Sequence, residues 1–396
     1  MNLGNLNSNG RSMSLLWIIA AGLAIILGGL LIGSLTPSFF PTEGSSQAQQ
    51  VDNLFRFMLA IGGSIFLLVN GVLLYSIIRF RARKGDNSDG PPIQGNTTLE
   101  FTWTVIPAVI VLVITLYSFQ VWQTIRAPQP NEQVVNGTGQ RFAWTFTYDI
   151  PEADLPQGVT LDQLPEDVQA VYASGAIPQF NSPQLHTWVG QPVHMLLNSE
   201  DVNHSFWIPG MRIKQDLLPG RETDVRFTPI EAGVYRITCA ELCGSGHGNM
   251  AGTVGTDGTL QGAWLIVHPD EQAYLHEFYE PEALNVLFPP ADPAVLGQQI
   301  LSSGKYPCMT CHTLTTLGWT GTIGPNLNGI GTRAAARMSG MDAAAYIHDS
   351  VRNPTHFVVP GFSPLMPQFN ADPSQPNYMP DSDLEAITAF LLTQTQ

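Results

Sequence analysis

A cluster of soft metal ligands offers the clearest chemistry in this sequence. Cys239, Cys243, His247 and Met250 lie within twelve residues, and His204 precedes them on the chain. Two thiolates, two imidazoles and a thioether favour copper over magnesium or calcium. One Cys, two His and a weak Met suffice for a mononuclear blue-copper site, so the second thiolate is free to bridge a second copper ion. We therefore expect a two-copper centre that carries electrons.

Two simpler interpretations of Cys239 and Cys243 compete with copper. A disulfide between these two residues would close only a small loop and add little stability. Zinc accepts a Cys2His2 ligand set, but it would leave Met250 without a role.

The run Cys308-Met-Thr-Cys311-His312 is a C-x-x-C-H motif, which is typical of a covalently attached c-type haem. The two thiols would bond the edge of the porphyrin, and His312 would ligate the iron. Two cysteines for copper and two for haem use all four in the chain, so we expect no disulfide.

Met366 follows a Pro-rich loop and is the expected sixth ligand of the iron, because a His–Met pair raises the haem potential. Met379 is the first alternative, and His348 and His356 are the others. The run Ser382-Asp-Leu-Glu385 predicts a capping box at the start of an apolar helix. That helix can close a small helical domain over the haem.

Three apolar segments near the N-terminus are long enough to cross a bilayer and carry no charge. Arg79, Arg81, Arg83 and Lys84 lie between the second and third segments, and the positive-inside rule places this loop in the cytoplasm. The third span then delivers the rest of the chain to the outer side. The expected spans are residues 15–35, 57–78 and 101–121.

The first segment fits either a signal sequence processed near Ala48 or an uncleaved anchor. It is long for a signal peptide, and Pro37 and Pro41 separate it from Ala48. We therefore expect the segment to be retained.

Charge is divided between the two parts of the chain. Residues 1–126 carry a net charge of +2, whereas residues 127–396 carry −17. An acidic outer region argues against binding of nucleic acid. It would steer a cationic partner or simply keep the exposed domain soluble.

The outer region is expected to contain two domains. Residues 127–280 contain short stretches of period-two alternation, such as Val193–Leu197, which predict an all-β sandwich or barrel. Residues 281–293 are rich in proline and predict a linker. The haem domain then occupies residues 294–396.

The segment Asp201-Val-Asn-His204-Ser-Phe-Trp-Ile-Pro209 and the loop 239–250 resemble subunit II of haem–copper cytochrome c oxidases. The run 95–107 is similar to the start of a transmembrane helix in that family, and similarity covers most of residues 50–268. The C-terminal region resembles the cytochrome c domain fused to a bacterial subset of these subunits. The resemblance implies a multidomain membrane protein with N-terminal transmembrane α-helices, an all-β cupredoxin-like Greek-key domain and a C-terminal all-α cytochrome c domain.

The resemblance also implies roles for individual residues. The side chain of Glu241 would reach a magnesium ion at the interface with subunit I, which suits a cation that prefers oxygen. Glu100 matches an acidic residue at the mouth of a proton pathway, although it also fits the N-terminal charge of a helix. The implied ligands of the binuclear copper centre (CuA) are His204, Cys239, Cys243, His247, Met250 and the backbone carbonyl of Glu241.

One departure from the family pattern concerns the place where electrons usually enter. Phe142 stands where the family has a tryptophan that accepts electrons from soluble cytochrome c, and Ala143 replaces an aromatic residue. A tethered haem offers a reason, because it presents the donor at high effective concentration. The aromatic residues that follow, Trp144, Phe146 and Tyr148, are expected to form core.

The combined expectation is an oxidase subunit of a bacterial plasma membrane, with its haem and copper domains outside. An external donor, a cytochrome c or a small copper protein, would reduce the haem. Electrons would then pass to CuA and on to subunit I, where oxygen is reduced to water; subunit III is a further expected partner. The alternative is a membrane-anchored electron carrier that belongs to no terminal oxidase.

Overall fold

The computed structural model describes residues 8–81, 85, 95–254, 258, 260–375 and 377–396, with side chains from residue 15 onward. The chain forms two compact units. One contains the long N-terminal helices, and the other contains Gly44–Ser46 and the chain from Pro128 onward.

Three long apolar helices form the first unit, and each is long enough to cross a membrane. Asn96 caps the third, where its side chain accepts a hydrogen bond from the backbone N–H of Leu99 at 3.1 Å. The second and third helices extend beyond the expected spans at both ends, whereas the first extends beyond its span only at the start and ends at Ser34, one residue short of Leu35. They are α1 (Ser8–Ser34), α2 (Ser46–Arg79) and α3 (Thr97–Arg126).

The basic loop from which the membrane topology is predicted lies only partly within the described residues. Arg79 is the last residue of α2, whereas Arg83 and Lys84 lie outside the described residues. The cytoplasmic location of this loop stays a prediction.

A five-stranded sheet forms one layer of the β domain. The strands that contain Val135 and Met195 pair in parallel, with these two residues opposite each other. The other neighbouring strands pair antiparallel. In sheet order the strands are β3 (Gln179–Ser182), β2 (Ala143–Asp149), β1 (Gln133–Gln140), β5 (Val193–Ser199) and β8 (Thr223–Phe227).

Two three-stranded sheets complete this β-rich, cupredoxin-like domain. Their strand orders skip along the chain, so long connections join strands that are neighbours in a sheet. The first contains β10 (Thr238–Cys239), β6 (His204–Ile208) and β7 (Ile213–Leu217). The second contains β4 (Leu185–Trp188), β13 (Trp264–His268) and β9 (Gly233–Arg236). A short pair, β11 (Thr253–Val254) and β12 (Leu260–Gln261), follows residues 239–250, the expected copper loop, in the chain.

The core of this domain is aromatic and confirms the alternation expected from the sequence. Along β5, Val193, Met195 and Leu197 are buried, while the residues between them are half-exposed. Trp144, Phe146 and Tyr148 are also buried, which confirms their expected place in the core.

Helical segments lie between and after the strands, and one of them occupies part of the expected linker. The helix α4 (Glu166–Ala173) lies between β2 and β3, whereas α5 (Glu271–Tyr274) leads through a π-helical turn into α6 (Glu280–Leu287). Ala283 and Leu287 are fully buried in the β-domain core. The prediction of a linker over 281–293 is therefore wrong for its first half, because these apolar side chains pack while only residues 288–292 lack a helix.

The C-terminal region is mainly helical, with one small β-pair. Gly297 permits the first and last helices to cross closely, since a Cβ there would lie 2.0 Å from the carbonyl O of Ala386. The helices are α7 (Pro293–Ser302), α8 (Cys308–Cys311), α9 (Ile330–Arg333), α10 (Ala343–Arg352) and α11 (Asp381–Thr393), and the pair is β14 (Thr313–Leu314) with β15 (Trp319–Thr320).

Two expectations for this region are corrected. The small pair β14–β15 departs from a purely α-helical domain. The last helix begins at Asp381 after Pro380, and no side chain caps it, so the capping box predicted at Ser382 is wrong. Because Pro380 already turns the chain into the helix, Ser382 lies inside its first turn.

Candidate metal and haem sites

Pairing of two short strands brings the first copper ligands together. In the antiparallel pair β6–β10, Cys239 is opposite Phe206, and the next N–H, from Ala240, donates to the carbonyl of Ser205 at 2.9 Å. This register places His204, at the start of β6, beside the chain that leaves β10. The separation of 35 residues in sequence is therefore closed by the sheet.

Cys239 is the centre of one half of the ligand cluster. Its Sγ lies 3.9 Å from Nδ1 of His204 and 3.1 Å from the carbonyl O of Glu241. The ligand atoms of His204, Cys239 and Cys243 all lie within 4.8 Å of one another, and all three residues are buried.

Cys243 is the centre of the other half. Its Sγ lies 3.4 Å from Nδ1 of His247 and 3.4 Å from Sδ of Met250. A 3₁₀ turn over His247–Met250 presents both side chains from one short segment. The structure thus brings together all six residues expected at the copper centre.

Asp201 and Arg141 support this cluster, and sequence reasoning did not identify either of them. An oxygen of Asp201 lies 2.9 Å from Nε2 of His204, leaving Nδ1 directed toward the sulfurs. The other oxygen accepts from the backbone N–H of Arg141 at 2.9 Å and from its Nε at 3.0 Å. A carboxylate behind a metal-binding imidazole fixes its orientation. An acidic residue three positions before His204 is the pattern that could have indicated it.

The electrostatics of the two thiols differ. Burial disfavours the Cys239 thiolate, but hydrogen bonds to His204 and to nearby backbone groups lower its pKa overall. Burial and the charge of Cys239 raise the pKa of Cys243. Ionisation of Cys239 therefore disfavours ionisation of Cys243. A bound cation relieves this repulsion, because coordination deprotonates thiols.

Hydrogen bonds also shift the pKa values of Asp201 and His204. Burial opposes ionisation of Asp201, yet bonds from His204 and Arg141 hold the pKa of this carboxyl well below its usual range. Burial alone would lower the pKa of His204, but its bonds to Asp201 and Cys239 raise it. The pair therefore favours a charged carboxylate facing the imidazole.

These residues fit a copper pair. Three sulfur donors, two imidazole nitrogens and one carbonyl oxygen converge around two buried free thiols, those of Cys239 and Cys243. A disulfide here is not formed. Soft sulfur and imidazole donors match copper.

The C-x-x-C-H motif forms one helical turn, α8, with His312 directly after it. Nδ1 of His312 donates to the carbonyl O of Pro325 at 2.7 Å, so Nε2 is the unprotonated nitrogen of the neutral ring. Burial lowers the pKa of His312. Gly324 lies against the ring, since a Cβ there would be 2.7 Å from Cε1.

An apolar cleft opens beside this imidazole. His312, Met366 and Met379 all line it. A smaller adjoining cleft is lined by Cys308, Cys311, His312 and Met366, but not by Met379. Burial raises the pKa of Cys308 to about 12. A planar, largely apolar prosthetic group with two thioether attachments fits this combination of cleft, free thiols and available imidazole.

The remaining candidates occupy other positions. His356 lies 2.7 Å from an Asp349 oxygen, and neither His348 nor His356 lines the cleft. Glu100 accepts from the backbone N–H of Asn96 at 3.1 Å, which completes a reciprocal cap at the start of α3. The side chain of Glu241 is exposed.

Comparison with known proteins agrees with a membrane-anchored chain that carries a β-rich outer domain. Residues 34–121 match the model of the cytochrome c oxidase subunit II transmembrane domain, and residues 133–256 match that of the periplasmic domain. These matches define the class as a membrane-anchored subunit of a copper-containing oxidoreductase.

Curated relatives identify the family. A cytochrome c oxidase subunit 2 from Synechocystis is 37% identical over 231 residues, covering 53% of this chain and 69% of the relative. The subunit from Thermostichus vulcanus is 34% identical over 265 residues, covering 59% and 79%. The subunit from Alkalihalophilus pseudofirmus is 26% identical, and the match covers 87% of each chain. The chain belongs to the cytochrome c oxidase subunit II family. As a family member it contributes copper-dependent electron transport beside subunit I of the membrane complex.

Proposed function

We propose that this chain conducts electrons from an external donor to subunit I, entering at the C-terminal domain and leaving from the loop 239–250. Family membership supports an oxidase subunit rather than a carrier outside an oxidase. The observation that carries the proposal is the convergence of two free thiols, two imidazoles and a thioether on one site, where His247 is half-buried and the other four side chains are buried.

The copper ligands are proposed to be His204, Cys239, Cys243, His247, Met250 and the carbonyl of Glu241. Copper held there supplies one-electron exchange. The chain's own contribution is orientation: Asp201 fixes the His204 ring, and the 3₁₀ turn fixes His247 relative to Met250. Burial of Cys239, Cys243 and Met250 keeps bulk water from the sulfurs.

The C-terminal region, residues 294–396, is proposed to be a cytochrome c domain. Cys308 and Cys311 would attach the haem, and His312 and Met366 would ligate its iron, which exchanges one electron. Pro325 fixes the tautomer of His312, and Met366 lines both clefts next to it. The match to the Alkalihalophilus relative leaves about an eighth of this chain uncovered, so it extends into residues 294–396.

Further roles follow from the same assignment. The exposed carboxylate of Glu241 would help to hold magnesium at the interface with subunit I. Glu100 would lie at the start of a proton path, besides capping α3. We propose that the copper and haem domains lie outside a bacterial plasma membrane. The complex would include subunit III and receive electrons from a cytochrome c or a small copper protein.

A variant of the haem ligand tests the proposed route. In the purified complex, His312→Ala should stop reduction of the copper centre by the native donor, while a small artificial reductant should still reduce it. His356→Ala, on the same domain, serves as a control that should keep both reactions. Undiminished turnover of the His312→Ala complex with the native donor would exclude the haem domain as the route.

A further inference from the structure

The C-terminal domain contacts the β domain through uncharged hydrogen bonds next to the copper loop. Among the described residues, none of the ion pairs joins these two domains. Thr145 Oγ1 donates to the carbonyl of Gly304 at 3.0 Å. Gln261 Nε2 donates to the carbonyl of Gly318 at 3.2 Å, and its Oε1 accepts from Thr320 Oγ1 at 2.7 Å. Asn249 Nδ2 donates to the carbonyl of Thr310 at 3.4 Å.

The tightest part of this contact is at Gly304. Its φ of +68° belongs to the left-handed region that favours glycine. A Cβ there would also lie 2.8 Å from Cβ and 3.1 Å from the backbone N of Pro183 in the β domain. Thr145, which donates to the Gly304 carbonyl, is itself buried. Gly304 thus meets the β domain at a distance that no other residue type allows without displacement.

This contact adjoins both cofactor segments. Thr145 follows Trp144, whose indole Nε1 donates to the carbonyl of Met250, and Gly304 lies shortly before the haem-attachment turn. Asn249 precedes Met250, and its partner Thr310 lies between the two haem cysteines. The contact therefore sets the position of the haem-attachment turn relative to the copper loop.

The same contact adjoins Phe142. The ring is 9% exposed and packs beneath the copper loop, since a Cβ on Gly246 would lie 2.4 Å from its Cδ2. Phe142 and Thr310 line one cleft between the loop and the C-terminal domain. The ring therefore lies under the loop, with the C-terminal domain on the other side of the cleft.

We propose that the C-terminal domain is a fixed electron donor, docked through Gly304, Thr145 and Asn249, rather than a domain that swings between partners. The inference rests on the proposed function. A haem held by Cys308 and Cys311 would give up one electron and copper held by the loop 239–250 would accept it, so the transfer balances with no bond made or broken. Gly304 and Asn249 are positioning residues, since neither is assigned as a ligand.

The test compares two glycine variants in the intact, cofactor-loaded complex. Gly304→Ala adds a methyl group against Pro183 at a positive φ. Gly340→Ala, also at a positive φ of +86°, meets no atom within 4 Å and serves as the matched control. Hydrogen exchange of the backbone amides at 306–311 should rise about fivefold or more in Gly304→Ala relative to Gly340→Ala, because overpacking opens the docked state.

A second measurement follows electrons. After photoreduction of the haem, the rate of copper reduction in the unaltered complex should not change with solvent viscosity or ionic strength. In Gly304→Ala the rate should fall and become sensitive to viscosity, and in Thr145→Val it should fall less.

The outcomes separate the two proposals. Equal hydrogen exchange in the two glycine variants, or a viscosity-dependent rate in the unaltered complex, overturns fixed docking while the proposed electron route stands. Failure of the unaltered copper centre to accept electrons from the reduced haem overturns the proposed route, and the exchange comparison then still decides whether the domain is docked.

Discussion

The indole Nε1 of Trp144 donates to the backbone carbonyl of Met250 at 3.1 Å. The bond ties the core strand β2 to the turn that supplies two of the proposed copper ligands. The Trp144 ring also lies edge-on to His204, with ring centroids 6.0 Å apart. One buried aromatic residue therefore contacts ligands from both halves of the cluster.

Replacing Trp144 tests this support. We expect Trp144→Phe to lower the affinity for copper about tenfold, because the Met250 carbonyl loses its donor and the turn loosens. Retention of copper against a series of chelators measures the effect. Trp207→Phe, at an exposed position on β6, should retain copper like the unaltered chain; an equal loss in both variants would contradict the role given to Trp144.

The negative charge of Asp201 should strengthen its hydrogen bond to the His204 ring. Asp201→Asn keeps the shape but weakens the bond to Nε2 of His204, and we expect a 10–100-fold loss of copper affinity. The copper EPR spectrum should change as the imidazole reorients. Asp167→Asn removes an exposed carboxylate of α4 and should alter neither property. Unchanged affinity in Asp201→Asn would show that the His204 ring is held by packing alone.

Two methionines that line the proposed haem cleft give opposite expectations. Met366→Leu should lower the haem reduction potential, because the His–Met pair raises it. Met379 is 1% exposed within the domain core, so Met379→Leu should leave the potential unchanged and cost less than about 1.5 kcal/mol of unfolding free energy. Redox titration of both variants decides between them, and a potential that falls only in Met379→Leu reverses the assignment.

A buried histidine pair away from both sites predicts a pH dependence of stability. Nδ1 of His186 lies 3.0 Å from Nε2 of His268, and the His186 ring stacks on Phe278. Burial and the neighbouring His268 lower the pKa of His186 from 6.5 to about 3. Below pH 6.5 the unfolded chain therefore binds a proton that the folded chain excludes until about pH 3.

The free energy of unfolding should consequently fall as the pH drops from 6.5, by up to about 2 kcal/mol at pH 5. Denaturant unfolding at pH 7 and pH 5 measures the slope, which should be smaller in His186→Asn. His276→Asn, at an exposed position, leaves His186 in place and should keep the slope. An undiminished slope in His186→Asn would show that other groups cause it.

The sequence was most informative where residue type alone determines the chemistry. Spacing within the segment 239–250 and the C-x-x-C-H motif identified residues that the fold does bring together. Asp201 could not be found in this way, because an acidic residue near a histidine in the sequence is common. Only the folded structure, in which β6 pairs with β10, shows that Asp201 contacts Nε2 of His204.

Boundaries were less predictable, for a physical reason. Proline residues suggested a linker over 281–293, but Ala283 and Leu287 form helix because the β-domain core offers them an apolar surface. Ser382 matched a capping pattern, yet Pro380 sets the start of α11. Tertiary packing decides such cases, and sequence patterns do not record it.

The two-copper assignment is tested most directly by the EPR spectrum of the oxidised, copper-replete complex, taken together with copper and haem analysis. The account predicts two coppers and one haem in each copy of this chain, with one unpaired electron shared equally by both copper nuclei. A single copper with localised hyperfine splitting, or zinc in its place, would contradict it.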